Sequence, residues 1–260
     1  MKSDSKREEL LREHYRVLFA AWGRQHWWPA RTRFEVIVGA FLTQNTAWKN
    51  VELALRRLRA ARLLNVAGVR DASASQLEAA IRSAGYFRQK TRSLKNFVAF
   101  LDEHYRGSLS RMFAQPTEKL RAELLSLKGS GPETADSILL YAGQHPVFVV
   151  DAYTRRILER HAILPAKSPY DEVRRWMERA LRPLADTTLT EAGKTGTSKP
   201  ETTVSGARHP PSRMSLARRS PTAQIYNEMH GLIVGVGKSY CLKSNPRCDE
   251  CPLQRFLPPL

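Results

Sequence analysis

Apolar residues recur at helical spacing along most of the chain. Between residues 5 and 22, for example, Leu11, Leu18 and Trp22 fall near one face, as in an amphipathic helix. The segment 146–151, PVFVVD, is instead short, apolar and extended. The pattern predicts an all-α protein with helices at about 5–22, 33–42, 51–64, 75–85, 87–105, 117–127, 132–143, 152–160, 169–181 and 222–240.

A turn with two glycines separates two of these helices. Gly129, Ser130 and Gly131 follow one helix, and Pro132 is placed to open the next, where its missing N–H costs nothing. Backbone N–H groups beside such glycines can hold an anion without a basic side chain. The turn therefore predicts a contact with a nucleic-acid backbone, and an ordinary helix-turn-helix connection with a glycine cap is the alternative.

Composition and charge narrow the class of protein. Lysine and arginine total 42 against 25 aspartate and glutamate, a net charge of +17 that favours a polyanionic partner. No apolar run is long enough to span a membrane, and no signal-peptide pattern opens the sequence, so we expect an intracellular protein of the cytoplasm or nucleoid. Residues 186–221 contain no Phe, Trp or Tyr and are rich in Thr, Ser and Pro, which predicts a disordered insertion.

The hairpin and the spacing after it resemble the helix-hairpin-helix DNA glycosylase superfamily, which includes endonuclease III and the adenine-mismatch and alkylbase glycosylases. In that family the hairpin LPGVG is followed by a residue that is lysine in bifunctional members, and a catalytic aspartate comes eighteen residues later. Here Glu133 occupies the lysine position and Asp151 the aspartate position. Asp151 also precedes a helix that begins at Ala152, where an aspartate is a common N-cap. The resemblance extends from about Trp27 to Cys251, broken by one insertion.

The resemblance implies a two-lobed helical fold. A six-helix barrel is expected at 25–145, with the hairpin at about 117–143. A second lobe is expected from both chain ends, 1–24 and 146–260. Double-stranded DNA containing a damaged base would lie in the groove between the lobes, bound by a monomer.

Two segments resemble the 3-methyladenine glycosylase branch of the superfamily. One is the rigid run Trp27, Trp28 and Pro29, against which a flipped purine could stack. Alternatively, the two tryptophans staple the first helix to the core. The other segment is TQNT, in which Gln44 matches a glutamine that enters the DNA at the lesion in endonuclease III.

Two basic residues are candidates for contacts with DNA phosphate. In the family, the loop before the helix at 87–105 lies against the DNA backbone. Arg88 and Lys90 stand at the start of that helix here. Surface charge without a partner is the alternative for each of them.

Three cysteines lie close together near the C-terminus. Many endonuclease III-like proteins end in C-x6-C-x2-C-x5-C, whose thiolates hold a [4Fe-4S] cluster. Cys241, Cys248 and Cys251 keep the first two spacings, but Leu257 stands at the fourth position. The 241–251 loop is therefore expected to be a degenerate or empty site, although a non-cysteine ligand could complete it. A zinc site would have the same shortage of ligands.

The resemblance and these residues together predict a monofunctional glycosylase for alkylated purines such as 3-methyladenine. A carboxylate beside C1′ of the sugar can stabilise the positive charge of the transition state and orient the attacking water, a role expected of Asp151. Lyase chemistry needs an amine for an imine, and Glu133 has none. The alternatives are a bifunctional endonuclease III-type glycosylase and lyase, a thymine or uracil mismatch glycosylase, and a non-catalytic DNA-binding module.

Overall fold

The computed structural model describes residues 3–191 and 209–258, and within them it contains helices and no β-strand. Short 3₁₀ turns lie at Arg82–Ala84, Cys248–Glu250 and Gln254–Phe256. A π-helical turn lies at Ile138–Gly143. The α-helices are α1 (Asp4–Trp22), α2 (Arg33–Thr43), α3 (Trp48–Ala60), α4 (Val66–Asp71), α5 (Ala74–Ile81), α6 (Phe87–Tyr105), α7 (Leu109–Phe113), α8 (Thr117–Ser126), α9 (Pro132–Ser137), α10 (Ala152–Arg160), α11 (Tyr170–Glu191) and α12 (Pro221–Ser239).

The chain divides into two compact units. The middle unit is Ala30–His145, and the end unit combines Met1–Pro29 with Pro146–Leu260. In the middle unit the apolar helix α2 packs against α3, α6, α9 and the π-helical turn. In the end unit α12 is buried along most of its length and packs against α1, α10 and α11. Each unit thus buries its own apolar core around one central helix.

Helix starts follow local sequence signals. Thr32 caps α2, because its hydroxyl accepts a hydrogen bond from the backbone N–H of Glu35 at 3.1 Å. Ser220 caps α12 in the same way, and Pro221 occupies the first turn. The capping box of α5 is formed by Ser73 with Gln76.

The expected disordered insertion at 186–221 is wrong at both ends. Helix α11 does not stop near Leu181 but continues through Pro183 to Glu191. At the other end, Met214 is buried, and the guanidinium of Arg219 donates to the carbonyls of Met214, Ser215 and Ala217. One apolar anchor and a self-contained set of hydrogen bonds therefore order a segment whose composition is polar. Residues 192–208 of the expected insertion lie outside the described residues.

No helix in the part of the chain that the structure describes is both long and apolar enough to cross a membrane.

Candidate active site and DNA-contact surface

The hairpin between α8 and α9 is a tight turn that requires glycine at one position. Gly129 has φ 94°, and a Cβ there would lie 2.1 Å from the Ser93 Oγ. The N–H of Ser130 donates to the carbonyl of Leu127 at 2.9 Å, which closes the turn. Gly131 differs, because it has an ordinary extended φ and an added Cβ would point into open space. The turn therefore favours glycine at 129, whereas Gly131 leaves its outer side open.

Two polar links hold the hairpin in place within the middle unit. The Gln44 side-chain amide donates to the carbonyl of Gly129 at 3.0 Å and to the Thr134 hydroxyl at 2.7 Å. Beneath α9, the buried guanidinium of Arg121 donates to both carboxylate oxygens of Asp136, at 2.7 and 3.2 Å. A guanidinium that binds both oxygens of a buried carboxylate fixes the relative position of the two side chains. Gln44, expected to line the lesion site, here also anchors the hairpin.

Lys90 does not occupy the place expected from the sequence. The residue is 3% exposed. Its ammonium donates to the carbonyls of Leu42, Gln44 and Ala84 and to the Thr46 hydroxyl, at 2.7–2.9 Å. Burial lowers its pKa to about 8. The expected phosphate contact is wrong for this structure, because the ammonium is directed inward and ties the end of α2 to the turn before α6.

The turn that Lys90 supports carries an exposed aromatic residue. Tyr86 adopts a left-handed backbone with φ 45° and is 69% exposed, directly after Gly85. Arg88 is exposed beside it, with its guanidinium 5.9 Å from the Phe87 ring centre. Sequence reasoning selected Arg88 but missed Tyr86. The available signal was an aromatic residue after a glycine at the start of a basic helix.

Asp151 caps α10, as expected from the sequence. Its Oδ1 accepts hydrogen bonds from the backbone N–H of Thr154 at 2.7 Å and from the Thr154 hydroxyl at 2.9 Å. Its Oδ2 lies 3.6 Å from the Nε2 of His230 in α12, and its side chain keeps 12% of its surface exposed. Sequence reasoning missed His230, because it is a single histidine on an apolar helix. Asp151 therefore has one fixed oxygen and one oxygen facing an imidazole.

The paired tryptophans are both buried in the end unit. Asn227 of α12 donates to the Trp27 carbonyl at 2.7 Å, and the Ser212 hydroxyl donates to the Trp28 carbonyl at 3.3 Å. The Trp27 ring lies 5.3 Å from the ring of His209. These contacts bury the pair against α12 and the segment 209–212. Stapling of the first helix, and stacking of a base against Trp27, Trp28 or the half-buried Pro29, both stay predictions.

Lyase chemistry would need an amine near the sugar, either at the family's lysine position or from another lysine. Glu133 is exposed in the first turn of α9. Lys128 is exposed in the hairpin of the same unit. Lys238 is exposed on α12 in the end unit, where its ammonium lies 5.6 Å from the Trp27 ring centre. Among these, Lys238 is the amine placed beside the aromatic pair.

The cysteine loop does not fit a four-thiolate cluster. Cys241, Cys248, Cys251 and Leu257 line one small cavity, together with Arg160 and His161. Leu257 offers no ligand atom, and the guanidinium of Arg160 donates to the Cys241 sulfur at 3.1 Å. Burial, and secondarily the neighbouring cysteines, raises the pKa of the Cys251 thiol. Across residues 3–191 and 209–258, no three His, Cys, Asp or Glu side chains are grouped as a metal site requires.

An all-α chain of net charge +17, with a glycine hairpin followed by a capping aspartate, is the combination expected of a helix-hairpin-helix DNA glycosylase. Residues 38–183 match the HhH-GPD superfamily of base excision DNA repair proteins, and the chain belongs to that superfamily. This membership confirms the helix-hairpin-helix glycosylase resemblance and the all-α fold, and it places the chain among the DNA glycosylases of base excision repair.

Individual relatives agree with this membership. The chain is 38% identical over 250 residues to a protein of Methanocaldococcus jannaschii assigned by name to the DNA repair glycosylases, covering 95% of this chain and 96% of that one. The crystal structure of H. pylori 3-methyladenine DNA glycosylase bound to 1,N6-ethenoadenine superposes with a TM-score of 0.69 at 26% identity, over 89% and 97% of the two chains. A non-covalent endonuclease III–DNA complex gives 0.67 at 19% identity, over 99% and 96%, a likeness of fold.

Proposed function

We propose that the chain is a monofunctional DNA glycosylase that releases alkylated purines, such as 3-methyladenine, from double-stranded DNA. The observation that carries this proposal is the state of Asp151. Its Oδ1 is held by two donors from Thr154, while its Oδ2 makes no such bond to Thr154. A fixed carboxylate with a second available oxygen suits stabilisation of a positively charged sugar.

The chemistry follows from that carboxylate. As the N-glycosidic bond breaks, positive charge develops on the sugar, and the Asp151 carboxylate offsets it. The same group orients the attacking water and accepts its proton, and the base departs with the bonding electrons. Glu133 cannot form an imine with C1′, so the abasic site remains uncleaved in this proposal.

The preference for alkylated purines has two supports. One is the likeness to the H. pylori 3-methyladenine glycosylase, whose structure holds 1,N6-ethenoadenine. The other is the aromatic run Trp27, Trp28 and Pro29, which in sequence resembles the 3-methyladenine glycosylase branch. Both tryptophans are buried in this structure, so stacking of an extruded purine on them requires that the run opens.

We further propose that the exposed side of Gly131 and the guanidinium of Arg88 contact DNA phosphate, and that the exposed Tyr86 ring stacks on a base. Phosphate contacts supply affinity without sequence preference. An apolar or aromatic side chain projecting from a rigid turn can wedge between bases and hold a duplex open. The buried Lys90 has a supporting role beneath this surface.

The test of the function is base release from a panel of duplexes. The panel carries 3-methyladenine, 1,N6-ethenoadenine, oxidised pyrimidines, and thymine or uracil mismatches. Release of alkylated purines is expected from the wild type, and Asp151→Asn should lower single-turnover release roughly 10²- to 10³-fold while DNA affinity is retained. Asp171→Asn changes another carboxylate at a helix start in the same unit and should leave release unchanged. Undiminished release by Asp151→Asn would refute the catalytic assignment.

The monofunctional part has its own test. Borohydride added during turnover should trap no protein–DNA adduct with the wild type, because only an amine gives a reducible imine. Glu133→Lys should create trapping if this position matches the catalytic lysine of bifunctional relatives. An adduct formed by the wild type as fast as base release would overturn the monofunctional proposal. Its loss in Lys238→Gln or Lys128→Gln would then identify the amine.

A further inference from the structure

His230 is the side chain of α12 that meets the Asp151 carboxylate. It is 4% exposed, and its Nε2 lies 3.6 Å from Oδ2. That separation is longer than a hydrogen bond, so the contact is electrostatic in this structure and leaves room to shorten. No part of the glycosylase mechanism described above uses this imidazole.

The position of His230 is fixed from several sides. Its ring packs edge-on against Phe148, with ring centres 6.2 Å apart, and lies 6.4 Å from the Trp27 ring. The next residue, Gly231, has no room for a side chain, because a Cβ would lie 2.9 Å from the Cβ of Gln25. Close approach of α12 to the segment that holds Gln25 therefore restricts where the imidazole can stand.

The surroundings also set the charge of the imidazole. Burial lowers the pKa of His230, and the nearby Asp151 acts in the opposite direction. A neutral ring leaves the negative charge of the carboxylate undiminished. A neutral imidazole can still direct an N–H at Oδ2, whereas a charged one would neutralise the group that must face a positively charged sugar.

We propose that His230 is a positioning residue for Asp151, which directs an Nε2–H at Oδ2 and so fixes the carboxylate in the orientation needed for base release. The inference rests on the proposed glycosylase function. Together, Thr154 and His230 would hold the two oxygens of one carboxylate from two different helices. Partners that orient the side chains of a metal site typically contribute roughly 10- to 100-fold to activity, and we expect an effect of the same order for a residue that orients a catalytic carboxylate.

Two substitutions of nearly equal size separate positioning from packing. In His230→Gln the amide nitrogen stands about where Nε2 does, and in His230→Asn it stands nearer the position of Nδ1. We expect single-turnover base release to fall roughly 10- to 100-fold in His230→Asn and in His230→Phe, and to stay within a few-fold of the wild type in His230→Gln. The dissociation constant for the lesion duplex should be unchanged in all three, because the carboxylate acts in the transition state.

His14 provides the matched control for loss of a buried histidine in the same unit. It is buried on α1 and packs against His161 and Phe256, away from Asp151. His14→Phe should leave the base-release rate unchanged even where it lowers the melting temperature. The melting temperature of each His230 variant, compared with this control, separates lost stability from lost orientation.

The outcomes distinguish the two proposals. If Asp151→Asn abolishes release but His230→Asn and His230→Gln both retain it, His230 is a packing residue and the glycosylase function stands. Equal loss in His230→Gln and His230→Asn, in proteins as stable as the control, would also overturn the positioning role. If the wild type releases no base from any duplex of the panel, the proposed function fails and this inference fails with it.

Discussion

Replacing Lys90 tests whether this cation belongs to the core or to the DNA surface. In Lys90→Met the carbonyls of Leu42, Gln44 and Ala84 and the Thr46 hydroxyl all lose a hydrogen bond to the ammonium. The Thr46 hydroxyl can still donate to the carbonyl of Gln44 or Ala84. A hydrogen bond to a charged group contributes about 1.5–3 kcal/mol, and a buried acceptor left without a donor costs about 1–3 kcal/mol. Methionine fills the stem of the side chain, and such effects are not additive. We therefore expect the free energy of unfolding to fall by roughly 3–5 kcal/mol.

The assay is urea denaturation of the whole chain followed by circular dichroism, with Arg88→Met as the matched control. Arg88 is exposed two residues earlier on the same helix, so its replacement should change the free energy of unfolding by no more than about 0.5 kcal/mol. If Arg88 contacts a phosphate, the salt dependence of DNA binding, log K against log salt concentration, should lose about 0.9 of its slope.

The two variants should therefore have opposite effects on stability and on the salt dependence of DNA binding. Lys90→Met is expected to lower stability and keep the salt slope of DNA binding, and Arg88→Met to do the opposite. The reasoning is refuted if Lys90→Met is as stable as the wild type and reduces the salt slope as a phosphate contact would. In that case the ammonium would have to leave its four acceptors to reach DNA.

Three further predictions address the hairpin, the turn beside it and the cysteine loop. Gly129→Ala should lower the free energy of unfolding by more than about 1 kcal/mol, because the positive φ at this position and the Ser93 side chain both oppose a Cβ. Gly131→Val should leave the free energy of unfolding unchanged but weaken binding to damaged and undamaged duplexes alike. Tyr86→Ala should slow base release from duplex DNA more than from single strands, a difference that vanishes if the ring does not wedge between bases. The protein purified without oxygen should carry no iron and should lack the visible absorption of a cluster. Leu257→Cys supplies the fourth thiolate that the wild type lacks. A full iron complement in the wild type would contradict the conclusion that this loop does not fit a cluster.

Features governed by neighbours in sequence could be predicted from the sequence. The hairpin at Gly129 and the cap at Asp151 depend on residues within a few positions, and both form as expected. The end of α11 could not be predicted, because Leu184 and Ala185 are buried by tertiary packing that overrides a proline in the helix.

Two site residues likewise depend on tertiary contacts and could not be assigned from their sequence neighbours. From the sequence alone, Lys90 is expected to be a surface cation. In the fold, α2 brings the carbonyl of Leu42, which is 48 positions away, to its ammonium. His230 lies 79 positions from Asp151, and no local pattern connects the two. Long-range contacts of this kind decide which charged or polar residues serve the core and which face a ligand, and one sequence does not encode them in any short motif.

The division of the chain into two units has a consequence for the order of folding during synthesis. The middle unit, Ala30–His145, is continuous in sequence, so all of its residues have been made before α10 begins. Helix α1 is synthesised first, yet its partners in the end unit are α11 and α12, so it must wait for residues more than a hundred positions later. Domains tend to fold as units as they emerge, and contacts of long sequence separation form slowly. Among the described helices, α1 therefore waits longest for the partners that cover its apolar face, which includes Leu11 and Leu18.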